Sequence, residues 1–143
     1  ADVPEGRFVA QPVAGARLNH PAWILSHLTL YAEVAVKLAR GEAFEDPAEH
    51  RFGAKSVPLE DAGAYEPAAV LIERWTRVHE AGREALERLT AELEARETPL
   101  PRWRGIHPTI GDMLVTLMVK HEAGHLGQLS AWRRACGYPS VPM

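Results

Sequence analysis

Two histidines near the end of the chain, His121 and His125, have the spacing of a metal-binding pair. Residues four apart lie one above the other on the same face of a helix, so both imidazole rings can reach one ion. Together with Glu122 the segment also spells H-E-x-x-H, the string that in zinc peptidases supplies two metal ligands and a general base. The sequence therefore raises two alternatives, a peptidase or another protein that uses paired histidines.

The surrounding residues argue against the peptidase. The extended metzincin pattern requires glycine and histidine at positions where this chain has Gln128 and Ala131. Glu122 directly follows His121 and therefore points about 100° away from it around the helix. Peptidases also bind substrate along the edge of a strand, and no segment of the sequence has the pattern of a strand. We keep the two histidines as ligands and discount the glutamate as a base.

A third histidine, His27, lies in the apolar stripe of an earlier helix, between Ile24 and Tyr31. A buried neutral imidazole must satisfy two ring nitrogens, and a lone histidine on an apolar face is usually satisfied by the core around it. Three such rings in one small core are better explained by a metal, because it accepts a lone pair from each ring. Helical bundles take metal ligands from facing helices, and we therefore predict His27, His121 and His125 as the ligands.

Several residues near the paired histidines have two interpretations. Gly124 and Gly127 each cost about 0.8–1.0 kcal/mol relative to alanine inside a helix, which indicates that a ligand or a neighbouring helix approaches the backbone closely. Gln128 either bonds a ligand or a metal-bound water, or is satisfied by the backbone. His79, in the middle helix, is either a fourth ligand or substrate contact, or a histidine of the core or its edge.

Three helical patterns position these residues. The first begins at Asn19-His20-Pro21, where Asn19 or His20 can act as the cap, and ends at Gly41. The second opens near Pro67 and stops at residues 98–101. The third begins near Thr109, with Asp112 as an acidic partner in its first turn, and ends at Gly137. Its inner stripe is predicted at Ile110, Leu114, Leu117, His121, Gly124 or His125, Gln128 and Trp132. Residues 1–19 are predicted to be irregular, and residues 42–64 to form a long loop of the kind that covers a site. The apolar stripe of the second helix is predicted at Ile72, Trp75, His79, Gly82, Leu86, Leu89 and Leu93.

The length of 143 residues suits one domain over residues 1–143, and three amphipathic helical patterns without a strand pattern predict an all-α bundle. Hydrophobic residues make up 46% and charged residues 24%, and the net charge of −3 excludes the basic surface of a nucleic-acid-binding protein. The chain has one cysteine, Cys136, and no apolar run approaches the roughly 20 residues that a membrane span needs. We expect a cytoplasmic location. Three one-sided helices close a core poorly, so we expect a fourth helix before Ala1, or a partner subunit in a homodimer.

Two segments together resemble the DinB/YfiT-like superfamily. They are residues 19–28, NHPAWILSHL, and residues 121–129, HEAGHLGQL; the similarity covers most of the chain, including Phe52-Gly53 and residues 132–137. The resemblance implies a four-helix bundle that holds a metal with one histidine of its second helix and two of its last. It assigns these roles to His27, His121 and His125, and it places the first helix of the family largely before Ala1.

The resemblance also implies an activity. It implies a divalent metal, often zinc or nickel, and relatives include S-transferases that use low-molecular-weight thiols. Because imidazole nitrogens bind several transition metals, iron, manganese and copper are alternatives here. Three neutral histidines leave an ion its full charge, so it can lower the pKa of a bound thiol or water. The leading hypothesis is a metal-dependent S-transferase that joins such a thiol to a small electrophile, with a substrate pocket lined by Gln128, Trp23, Tyr31 and His20. The alternatives are a non-catalytic metal-binding stress or interaction module and a metal-dependent hydrolase of a small substrate.

Overall fold

The computed structural model describes residues 2–139, and these residues form an all-α bundle. Its long helices are α1 (Pro21–Arg40), α2 (Ala68–Glu87) and a final helical stretch. That stretch consists of α5 (Ile110–Val115), a π-helical segment (Thr116–His121) and α6 (Glu122–Ala135), and the short helices α3 (Ala91–Glu94) and α4 (Pro101–Arg104) precede it. Within residues 2–139, β structure is limited to one isolated bridge between Glu97 and Thr109. The all-α prediction is confirmed.

Helix α1 is the central element, because it packs against both α2 and the final helical stretch. It begins and ends as the sequence predicts. The His20 ring accepts a hydrogen bond from the Trp23 backbone N–H at 3.3 Å and caps the first turn. At the other end, Gly41 has a φ of 69°, the left-handed conformation that glycine adopts without steric cost. Leu38 and Ala35 of α1 are buried in a core with residues of the final stretch.

The predicted stripe of α2 is correct in part. Gly82 is buried, and Trp75, Leu89 and Leu93 are partly buried against the core. Ile72 and Leu86 are each 39% exposed, and the inner face includes Leu71 and Ala85 instead. A Cβ at Gly82 would lie 2.8 Å from the terminal methyl of Met118, so a larger residue there would require this flexible side chain to move.

The second helix is also shorter than predicted. It ends at Glu87, and Thr90 starts a new short helix, α3, by accepting a hydrogen bond from the Leu93 N–H. Thr90 is a good N-cap residue, and a side chain that caps a new helix favours a break before it. The pattern of leucines that continues through Leu89 and Leu93 therefore spans two elements rather than one.

The final helical stretch starts with a capping box between Thr109 and Asp112, as the sequence predicts. Four apolar residues of its predicted stripe are buried: Ile110, Leu114, Leu117 and Trp132. The π-helical segment at residues 116–121 was not predicted. Gly137 has a φ of 82° and follows the end of the helix.

The segment before α1 is irregular apart from one 3-10 turn at Glu5–Arg7. It packs against the end of α6, where the Trp132 indole N–H donates to the Ala10 carbonyl at 2.7 Å and Arg133 pairs with Asp2. The fourth helix that we expect before Ala1 lies outside the described residues. Among residues 2–139, no helix combines the length and the hydropathy needed to cross a membrane.

Candidate metal centre

The three predicted ligands come together between α1 and the final helical stretch. His27 Nε2 lies 2.9 Å from His121 Nε2, and His125 Nε2 lies 3.1 Å from the same atom. His27 and His125 are 4% and 8% exposed, and His121 is half-buried. Ligand atoms of all three rings lie within 4.8 Å of one another. One histidine of α1 and two of the final stretch therefore present nitrogens to a single point.

The outer nitrogens of two rings fix their tautomers. His27 Nδ1 is 2.6 Å from the Phe52 carbonyl oxygen, and His125 Nδ1 is 2.9 Å from Gln128 Oε1. Because both oxygens only accept hydrogen bonds, each Nδ1 must carry the proton and donate it. In the neutral rings, the Nε2 atoms of His27 and His125 are then unprotonated, and each has a lone pair that faces His121.

Hydrogen bonds cannot satisfy the three converging Nε2 atoms, whereas a cation can. His121 Nε2 could donate one proton to only one of the two lone pairs. His121 Nδ1 is buried with no partner among residues 2–139 in either arrangement. Metal–nitrogen bonds of about 2.0–2.1 Å at right angles separate two ligand nitrogens by about 2.9 Å, close to the separations found here. Metal-bound histidines usually donate their second ring N–H to an oxygen, as His27 and His125 do. The donor set therefore fits a divalent transition metal.

Burial holds the three rings in the neutral state that a metal ligand needs. Burial, together with smaller repulsion from the neighbouring histidines, lowers the pKa of His27 to about 4 and that of His121 to about 3, and the bond of His27 to the Phe52 carbonyl opposes the first shift. Burial also lowers the pKa of His125, although its bond to Gln128 opposes the shift. At neutral pH no proton has to leave these rings before an ion can bind.

The loop at residues 42–64 lies against the face of α1 that carries His27. It contacts three side chains of that face and the His20 side chain that caps the helix. Phe52 supplies the carbonyl that orients His27, and a Cβ at Gly53 would lie 2.0 Å from the Pro47 carbonyl oxygen. Only glycine can therefore occupy this turn without moving the backbone. The other contacts are Ser56 Oγ with Trp23 Nε1, Ala54 N–H with the Tyr31 hydroxyl, and the Leu59 carbonyl with His20 Nε2.

The π-helical segment ends at His121, between the core of α5 and the ligands of α6. A π segment inserts an extra residue into the turn, and such segments occur frequently at functional sites. Here it sets the rotation of His121 relative to Leu117, the last buried residue before it. Sequence periodicity does not reveal this feature, because a regular helix also places His121 and His125 on one face.

The residues predicted to line a substrate pocket surround the trio in different ways. The Trp23 indole stacks on His27 with ring centroids 4.5 Å apart, and the Tyr31 ring is 4.8 Å from His27 and 5.1 Å from His121. His20 is fully buried and both of its nitrogens are used, one in the cap and one with Leu59. The four substrate contacts stay predictions. The two hydrogen bonds of His20 give this residue a structural role.

Gln128 lies outside the trio and contacts it through His125. Its Oε1 accepts from His125 Nδ1 and from Asn19 Nδ2, each at 2.9 Å. The side chain therefore orients a ligand and links the start of α1 to α6. The contributions of Asn19, Phe52 and Gly53 to the site were not predicted. A backbone carbonyl leaves no signal in a sequence.

Of the two interpretations of Gly124 and Gly127, close approach of a neighbouring helix is wrong among residues 2–139, and close approach of a ligand stays a prediction. A Cβ at Gly124 or Gly127 would have nothing within 4 Å, and both residues are exposed. His79 is not part of the trio, since it is exposed and its Nε2 lies 3.3 Å from the Glu122 carboxylate. Burial raises the pKa of Glu122.

The fold and the site define the class of the protein, an all-α bundle with a three-histidine candidate metal centre. The family model described as the DinB superfamily matches residues 1–129. The chain belongs to the DinB superfamily, as the two histidine segments predicted. No curated protein matches the chain, and neither does any solved structure.

Proposed function

We propose that the protein is a metal-dependent S-transferase that joins a low-molecular-weight thiol to a small electrophile. The observation that carries the proposal is the convergence of three neutral imidazoles, with two bare lone pairs directed at His121 Nε2. Neutral ligands do not cancel the charge of a divalent ion. When bound, such an ion lowers the pKa of a thiol and so makes a thiolate available near neutral pH.

The residues of the chain have distinct roles in this proposal. His27, His121 and His125 hold the ion, and Phe52 and Gln128 orient two of the rings through their Nδ1 atoms. His121 is the most exposed of the three, so small molecules approach the centre from its side. Trp23 and Tyr31 bring apolar ring surface next to the ligands and keep water away from the centre.

We further propose zinc or nickel as the ion, with iron, manganese or copper as alternatives, because imidazole suits all of them. The small-molecule substrate, the thiol, a homodimer and a cytoplasmic location are parts of the same proposal. None of them rests on the geometry of the centre.

The test is a thiol-consumption assay with the purified protein, a low-molecular-weight thiol and a reactive aryl halide. Zinc-loaded and nickel-loaded protein should consume thiol faster than the His121→Ala variant, and a chelator should abolish the difference. The matched control is His107→Gln, which removes a histidine whose ring contacts Thr116 instead of the trio. It should retain the wild-type rate.

The same assay separates the competing functions. Loss of the electrophile without loss of thiol would indicate a hydrolase that activates water. Bound metal with no turnover of either compound above the His121→Ala variant would contradict the transferase and support a non-catalytic metal-binding module.

A further inference from the structure

Two hydrogen bonds connect the residue before the cap of α1 to one of the predicted metal ligands. Asn19 Nδ2 donates to Gln128 Oε1 at 2.9 Å, and the same oxygen lies 2.9 Å from His125 Nδ1. Within residues 2–139, no side chain other than Asn19 and His125 bonds the Gln128 amide. One amide oxygen is therefore shared by two donors.

The orientation of this amide decides which nitrogen of His125 is available to a metal. When the oxygen faces the ring, Nδ1 carries the proton and Nε2 keeps its lone pair. A rotation of the Gln128 amide by 180° would present its NH2 group to the ring instead. That group needs a lone pair at Nδ1 and so moves the proton to Nε2, and a protonated nitrogen cannot bind an ion.

Solvent does not select between the two orientations, whereas Asn19 does. Gln128 is exposed, and water both donates and accepts hydrogen bonds, so water satisfies either end of the amide. The NH2 group of Asn19 can only donate. The structure pairs this group with the oxygen of Gln128, and an NH2 group in the place of that oxygen would face it donor to donor.

The chain is anchored on both sides of Asn19. The Gln11 side chain bonds the backbone of Leu18 twice, since it accepts from the N–H at 2.8 Å and donates to the carbonyl at 2.9 Å. On the other side, His20 is fully buried and bonds both Leu59 and the first turn of α1. Asn19 itself is half-buried. Its side chain therefore extends towards α6 from a fixed backbone.

We propose that Asn19 is a positioning residue of the metal centre. It holds the oxygen of Gln128 towards His125, which keeps the ring proton on Nδ1 and leaves the Nε2 lone pair for the ion. The proposal rests on the three-histidine centre of the proposed function, but it does not require the transferase reaction. It applies to the metal-free protein as well, because the proton is placed before an ion binds.

The test is Asn19→Asp, which exchanges the donating NH2 group for an accepting oxygen of similar size. The variant imposes the opposite pairing, so the Gln128 amide should rotate, donate to both neighbours and move the His125 proton to Nε2. A carboxylate before the N-terminus of α1 also favours the helix, so the variant should fold. Nitrogen-15 NMR of labelled histidine in the metal-free protein at neutral pH identifies the protonated nitrogen. We expect it to be Nδ1 in wild type and Nε2 in the variant, with zinc binding weaker in the variant by about 10–100-fold.

The predicted loss of zinc affinity is opposite to the effect of charge alone. A negative charge near a cation site attracts the cation. The control Ala16→Asp adds the same charge at an exposed position of the same segment, and it should neither weaken zinc binding nor move the His125 proton. Addition of Gln128→Glu to Asn19→Asp is the rescue, because a carboxylate presents oxygen in either orientation. It should return the proton to Nδ1 and restore most of the zinc affinity.

The tautomer measurement separates this proposal from the proposed function, since it needs neither metal nor thiol. The proposal is overturned if metal-free wild type carries the His125 proton on Nε2, or if Asn19→Asp leaves the proton on Nδ1. Unchanged zinc affinity in Asn19→Asp also overturns it. The expected shift of the proton and of zinc affinity, in a protein that consumes no thiol, would support the role of Asn19 and contradict the transferase alone.

Discussion

Acidification from pH 7 to pH 5 should destabilise the metal-free protein, because His27 and His121 are buried as neutral rings. The pKa is about 4 for His27 and about 3 for His121 in the folded state, and about 6.5 for both in the unfolded chain. Between these values the unfolded chain binds protons that the folded protein does not. The contribution of each ring to stability is therefore complete above pH 6.5 and is lost as the pH falls towards the folded-state pKa.

The size of the effect follows from these values. At pH 5 almost every unfolded chain is protonated at both rings, whereas the folded protein is largely unprotonated. The free energy of unfolding should fall by about 2 kcal/mol per ring between pH 7 and pH 5, or about 4 kcal/mol for the pair. That is a large part of the 5–15 kcal/mol that stabilises a typical domain. Burial raises the pKa of Glu122, which opposes the fall slightly.

The assay is urea unfolding at pH 7 and pH 5 in the presence of a chelator. The matched variant is the double substitution His27→Gln and His121→Gln, which removes the titrating rings and keeps polar side chains. It should lose the part of the fall that these two rings contribute, about 4 kcal/mol. His20 and His125, whose pKa values burial also lowers, should keep a remaining fall in the double variant. His79→Gln, at an exposed position outside the trio, should keep the wild-type fall. An equal fall in wild type and double variant would refute the reasoning that these two rings are buried neutral.

Three further predictions concern the surroundings of the site. Gly53→Ala should displace the turn that carries the Phe52 carbonyl, because its Cβ would lie 2.0 Å from the Pro47 carbonyl oxygen; we expect weaker zinc binding by titration, and unchanged affinity would contradict this. Gln128→Leu should weaken zinc binding about 10–100-fold through loss of the bond to His125, and an unchanged Kd would argue against that role. Gly124→Ala should stabilise the protein by about 0.8–1.0 kcal/mol in thermal unfolding, since open space adjoins it; destabilisation would reveal a contact there.

Much of the fold could be predicted because helix ends leave clear signals. His20, Gly41 and the capping box of Thr109 and Asp112 act at the ends where the sequence suggested them. The inner face of α2 could be predicted only in part. Gly82 is buried as predicted, whereas Leu71 and Ala85 are buried in place of their neighbours Ile72 and Leu86. All four of these neighbours are apolar, so periodicity alone does not decide which of each pair faces the core.

The candidate metal centre could likewise be predicted only in part. The histidines could be predicted from spacing and burial, because polar rings on apolar faces require a reason. Their orientation could not, since it depends on the Phe52 carbonyl and on the turn at Gly53, which come from a loop without periodic pattern. Exposed histidines would make metal binding weaken as the pH falls through about 6.5. With the pKa of His27 at about 4 and that of His121 at about 3, we expect protons to compete with zinc at these two ligands only below about pH 5.

The most direct test of the three-histidine centre is the metal content of the purified chain. Protein loaded with excess zinc and then dialysed should retain close to one zinc per chain by elemental analysis, and so should His107→Gln. The triple substitution of His27, His121 and His125 by alanine should retain none. Zinc absent from the loaded wild type, or equal zinc in the triple variant and the wild type, would contradict the assignment of these histidines as a metal centre.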